Sequence, residues 1–180
     1  MQVNVHVQWD LGDGAAQPLT PIERDALKQV YQISEVTWQA WFQHWFEHLQ
    51  PSISPIQTYE LSLLLTDDAA IQGLNATYRQ LDRPTDVLAF ATLDSTNRPT
   101  ALWSEMPVEL GDIIISVETA TQQAREQHHT LQEELAWLAT HGLLHLLGWD
   151  HPTPERLQEM LAQQQALINL INVSAVTGYS

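Results

Sequence analysis

At 180 residues and 44% hydrophobic content, the chain is long enough for one well-cored domain and short for two. Its seven Lys+Arg against 22 Asp+Glu leave a net charge of −15, which excludes a broad basic nucleic-acid footprint but not a small local one. With no cysteine, disulfides are absent, and any metal must be held by nitrogen and oxygen ligands.

Val3, Val5 and Val7 alternate with Asn4, His6 and Gln8, the period of a half-buried strand. A Gly-containing loop is expected over Asp10 to Gln17. Thr20 and Pro21 then have the form of a helix cap and first turn. A second helix is expected from Ser34 to about Leu49. Its Trp38, Trp41, Phe42, Trp45 and Leu49 share one face, and core packing is the expected use of that face. A membrane role for it fits poorly, because the polar side carries Glu35 and Glu47 and no cation.

Tyr59 to Thr66 reads as a buried strand, and Thr66 or Asp67 as the cap of a helix carrying Ile71, Leu74 and Tyr78 at helical spacing. A loop over Gln80 to Pro84 and a short strand at Asp86 to Phe90 follow. Ser95 to Thr100 has turn composition. Gly111 to Ser116 is β-branched and is expected to be a central strand, and from Glu118 onward the chain is helical in two or three pieces. This order predicts an α+β fold, a small mixed β-sheet with helices packed on it and the apolar helix from Leu135 onward buried, as a single domain over 1–180. No leader of basic then apolar residues opens the chain. The apolar run Leu135 to Leu147 is broken by histidines and falls short of the ~20 residues of a membrane span. A cytoplasmic protein without membrane contact is expected.

The chemistry concentrates in one helix. Thr130-Leu131-Gln132-Glu133 is a capping box, and the apolar run it opens contains His141 and His145, four residues apart and so on one face. Gly148 stands where a positive φ ends a helix, allowing the chain to return and bring His151 to the first pair. Three histidines leave the fourth position of a tetrahedral zinc open, the arrangement of a catalytic rather than a structural site. Packing alone does not account for them, because an unsatisfied buried polar group costs ~1–3 kcal/mol. His6, His44, His48, His128 and His129 read instead as surface residues. The spacing is that of zinc proteases, but those place a glutamate general base directly after the first histidine, where this chain has Gly142.

The string His141-Gly142-Leu143-Leu144-His145-Leu146-Leu147-Gly148-Trp149-Asp150-His151 resembles the signature of the YbeY endoribonuclease family, H-G-x-L-H-L-x-G-[YF]-D-H, with Trp149 departing from it. Asn75, Tyr78 and Arg79, then Thr85-Asp86-Val87-Leu88-Ala89-Phe90, are similar to a second family segment, in which Ala89 stands for the usual serine. Leu110-Gly111-Asp112-Ile113 is similar to a third. The motif-bearing core runs from about 56 to 170, and the segment 1–55, with its aromatic helix, matches poorly.

The resemblance implies a zinc-dependent, single-strand-preferring endoribonuclease in ribosomal RNA maturation and ribosome quality control. It implies one Zn(2+) per chain on His141, His145 and His151, and an activity-bearing arginine at Arg79. Ribosomal RNA and the small ribosomal subunit or an assembly factor are the implied partners, and DNA is not expected. From its residue type alone, Arg79 suits either a phosphodiester or a helix C-terminus. Asp86, Asp112 and Asp150 are candidates for supporting ligands or handling protons; Asp150 equally suits a turn cap. Arg79, Arg83 and Arg98 are expected to line one groove near the metal. Two other readings stay open: a zinc-stabilised ribosome-assembly factor with little activity of its own, and a zinc hydrolase of peptides or esters.

Overall fold

The computed structural model describes residues 1–11, 20–92 and 105–171. In chain order the elements are β1 (Gln2–Asp10), α1 (Pro21–Gln32), α2 (Glu35–Leu49), β2 (Thr58–Thr66), α3 (Asp68–Arg79), β3 (Val87–Ala91), β4 (Val108–Ser116), α4 (Val117–Gln127), α5 (Leu131–Leu146) and α6 (Pro154–Ile168). The strands form one sheet in the order β1-β2-β4-β3. β1, β2 and β4 are parallel, and β3 runs antiparallel to β4. The expected α+β class with a mixed sheet is what forms, and β4 is internal as its β-branched run required. The turn at Ser95–Thr100, Arg98 and most of the loop at Asp10–Gln17 lie outside the described residues.

Strand alternation sorts the side chains into two layers. Val3, Val7, Tyr59, Leu61, Leu63, Leu65, Ile113 and Ile115 join the main core beneath α2 and α5, while Leu64, Ile114, Leu88 and Phe90 turn to the other face, under α3. A register shift opposite Glu60–Ser62 marks a bulge in β4, which lets Leu110 reach the main core although three positions separate it from Ile113. Gly111 occupies the bulge at φ +123°, where a Cβ would lie 1.9 Å from the Phe90 carbonyl oxygen.

The aromatic helix is a core helix. Trp38, Trp41, Phe42, Trp45 and Phe46 are all buried, and the Trp45 indole donates to the Leu167 carbonyl at 3.1 Å, tying α2 to α6. Its polar side serves the sheet as well. The Val5 amide donates to Gln39 Oε1 at 3.0 Å, the Val3 amide to Gln43 Oε1 at 3.3 Å, and the Gln39 amide returns a bond to the Val3 carbonyl. These glutamines occupy the outer edge of β1 at Val3 and Val5, its first half.

α5 starts at the expected capping box, with Thr130 and Glu133 reciprocally bonded. It crosses β3 and β4 closely. A Cβ on Gly142 would lie 2.6 Å from Ile113 Cγ2, so glycine is what allows the helix this near the sheet.

Candidate metal centre

The last two turns of α5 carry the first two histidines, and the way the helix ends delivers the third. Gly148 (φ +89°) donates to the His145 carbonyl at 3.0 Å, and the Trp149 amide to the Leu144 carbonyl at 2.9 Å. These are the two bonds of a Schellman turn, which reverses the chain over the helix end. Asp150 then accepts the His151 amide at 2.8 Å, and it also lines the cavity into which the histidines open. One ligand nitrogen from each of His141, His145 and His151 lies within 4.8 Å of the others, and no other such group occurs among the described residues.

Hydrogen bonds set the ring orientations. His145 Nδ1 lies 3.0 Å from the Trp149 carbonyl oxygen, which only accepts, so Nδ1 carries the proton. His141 Nδ1 lies 3.2 Å from Gln164 Oε1, and the same amide's nitrogen donates to the Trp137 carbonyl at 3.3 Å. That second bond fixes which end of the amide faces the histidine, so His141 Nδ1 is a donor too. Both Nε2 atoms therefore present lone pairs to one another at 3.0 Å, a repulsive contact unless a cation sits between them. Two nitrogens at ~2.0–2.1 Å from a tetrahedral ion sit roughly 3.3 Å apart, close to this spacing. Burial lowers the proton affinity of His141 relative to an ordinary histidine; burial and then the neighbouring His141 do the same to His145. Both favour the neutral imidazole that a metal needs. The donor set fits a divalent cation of intermediate softness.

The histidines open into a cavity of about 570 Å³, walled by Trp137 and Leu138 of α5, Val87 of β3, Leu161 and Gln164 of α6, and Arg79 at the end of α3. The structure thus brings Arg79 to the histidines. Asp86 also lines the cavity, but both its carboxylate oxygens are engaged, one by the Thr85 hydroxyl and Val87 amide and the other by Gln123 at 3.0 Å. Two expectations fail. Asp112 is exposed on β4, outside the cavity, and Arg83, whose backbone carbonyl is held by the Asn75 side chain at 2.8 Å, does not line it.

His6, His44, His48 and His128 are exposed as expected. His129 differs in having a buried partner: it bonds Glu134, whose carboxyl is raised above the usual range by desolvation. Sequence reasoning missed Gln164 altogether. Its signal was present, since Met160, Gln164 and Leu167 form the buried stripe of α6 and the middle one is polar.

A profile described as Endoribonuclease YbeY matches residues 24–172, a span that takes in α2 as well as the histidine segment. A protein named Endoribonuclease YbeY from Acaryochloris marina is 81% identical over 177 residues, covering 98% of this chain and 99% of that one. A protein of the same name from a Nostoc species is 50% identical over 148 residues, covering 82% and 80%. In three dimensions the chain is similar to the solution structure of TM1509 from Thermotoga maritima, with a TM-score of 0.50 at 21% identity, covering 93% of this chain and 88% of that one, a likeness of fold.

Proposed function

The chain belongs to the YbeY endoribonuclease family, and we propose that it is a zinc-dependent endoribonuclease that cuts single-stranded ribosomal RNA during maturation and quality control. The observation that carries the reading is the convergence of two lone-pair-bearing Nε2 atoms and His151 beside an arginine that faces the same cavity. His141, His145 and His151 would hold one zinc ion, which supplies Lewis-acid polarisation of a phosphoryl oxygen and a water acidic enough to ionise near neutral pH.

What the residues contribute follows from their places. Gln164 and the Trp149 carbonyl hold two imidazoles in the ligating tautomer, so little reorganisation is needed when the ion enters. Arg79 ends α3 at the cavity wall and pairs with none of the described carboxylates, leaving its guanidinium for a phosphodiester oxygen that gains charge as the bond breaks. Gly142 removes the helix-borne glutamate of zinc proteases, and the packing against Ile113 leaves no room for one. Peptide hydrolysis by that route is therefore disfavoured. We place the working protein in the cytoplasm as one domain, with the small ribosomal subunit or an assembly factor as partner. The absence of cysteine supports this, and no described helix is long and apolar enough to cross a membrane.

The test is cleavage of a single-stranded ribosomal RNA fragment by purified protein, set against an unstructured peptide, with and without chelator. Metal-dependent cutting of RNA alone is expected, abolished in His145→Ala together with most zinc binding. Arg79→Ala is expected to keep its zinc and lose about 10²–10³-fold in turnover. RNA left intact by a zinc-loaded protein would overturn the assignment in favour of an assembly role. Loss of zinc in Arg79→Ala would make that arginine structural.

A further inference from the structure

The segment from Tyr78 to Arg83 brings cations and exposed apolar surface together. In a chain of net charge −15, it carries two of the seven basic residues, Arg79 and Arg83, and neither makes an ion pair among the described residues. It also exposes apolar surface beside them: Tyr78 is 65% exposed and Leu81 45%. The only carboxylate within the segment, Asp82, is bonded to Gln72 at 2.8 Å.

The exposed ring is not loose. Tyr78 meets Phe90 of β3 edge-on, with centroids 5.1 Å apart, and Phe90 is anchored in the cluster of Ile71, Leu88 and Ile114 beneath α3. The loop after the helix is held too, by the buried Asn75 amide on the Arg83 carbonyl and by the Leu81 amide on the Asn75 carbonyl at 3.3 Å. An aromatic face, pre-positioned and wet on one side, lies directly before the arginine that lines the metal cavity. Val87, three residues before Phe90 on the same edge strand, lines that cavity from the opposite face of the sheet, so the ring and the cavity lie on either side of the β3 edge, about 10 Å apart along the strand at ~3.3 Å per residue.

Rigid exposed aromatics interleaved with unpaired arginines are the elements of single-strand binding: any base can stack on a ring, while guanidinium groups take the phosphates. We propose that Tyr78, supported by Phe90, is a base-stacking subsite for single-stranded RNA flanking the cut, with Arg83 on the neighbouring phosphate. This rests on the endoribonuclease reading above and deepens it. A duplex keeps its bases stacked inside and has no free base for the ring, so the subsite selects single strands. It also reconciles an acidic protein with a nucleic-acid substrate, because the cationic footprint is confined to one loop and one cavity.

The experiment measures binding of the zinc-loaded full chain to a labelled single-stranded oligonucleotide with 2′-O-methyl riboses, alongside cleavage of the unmodified RNA. Tyr78→Ala is expected to raise Kd about tenfold for single strands and to narrow the preference for them over duplex. Tyr78→Phe, which keeps the ring, is expected to bind like wild type. Arg83→Gln should flatten the salt dependence of log Kd by about 0.7, one phosphate contact on a single strand. Wild-type affinity in Tyr78→Ala, from a protein that still cleaves RNA, would overturn the subsite and leave the nuclease reading standing. Equal losses in the Ala and Phe variants would overturn stacking in favour of the hydroxyl. A wild-type protein that neither binds nor cuts would overturn both.

Discussion

Gln164 has no apolar reason for being buried. It sits fully inside, between Met160 and Leu167 on α6, and spends both ends of its amide on α5, one on His141 and one on the Trp137 carbonyl. That carbonyl also accepts from the Thr140 hydroxyl at 2.7 Å, so removing the glutamine orphans nothing there. Gln164→Leu, similar in volume, leaves the His141 Nδ1–H without its acceptor and is expected to weaken zinc binding about 10–100-fold, the range of other outer hydrogen-bond partners of metal histidines, while costing the chelated protein no more than ~1–3 kcal/mol. Competition against a chromophoric chelator measures it. Unchanged affinity would mean that packing alone orients His141. The three histidines were legible because one helical turn and one glycine determine their approach, whereas Gln164 reaches its partner across 23 residues of chain.

At the scale of elements, α5 answers to both the sheet and the site. The same approach that seats the helix on Ile113 carries His141 and His145 to the cavity opposite Arg79. Gly142→Ala pushes a methyl against Ile113 and should cost about 1–3 kcal/mol by overpacking. Ile113→Ala should suppress part of that cost, so that in a double-mutant cycle measured by denaturant unfolding the two changes together cost less than their sum. Additive costs would place the clash elsewhere. The start of the helix offers a contrast. Thr130→Ala removes one side of the capping box and should lower stability by about 1 kcal/mol without changing zinc affinity, because the site lies at the other end. The caps at Thr20 and Thr130 were readable as local chemistry. That glutamines of α2 would bond the edge of β1 at Val3 and Val5 was not, since nothing in the sequence tells which strand lies at an edge.

For the whole molecule, the histidines make stability depend on pH in a definite direction. Burial lowers the affinity of His141 and His145 for protons in the folded state, so below the ordinary histidine value of about 6.5 the unfolded chain binds more protons than the folded one. Their contribution is full above that value and is lost as the pH falls from it through the lower folded-state values. Chelator-stripped protein is expected to melt at progressively lower temperature on acidification from neutral pH, and His145→Asn to flatten that slope; an unchanged slope would refute the assignment. Taken alone, the sequence determined the α+β class, the helix caps, the three metal-ligand candidates and the missing glutamate, because each depends on contacts within a turn or two or on strand alternation. Only the tertiary structure decided that Arg79 joins the histidines while Arg83 and Asp112 do not, that Gln164 sets a tautomer, and that Gly142 is a packing residue. Those facts depend on which strand lies beside which and how closely a helix crosses them, and such distances are set by the packing of the core as a whole.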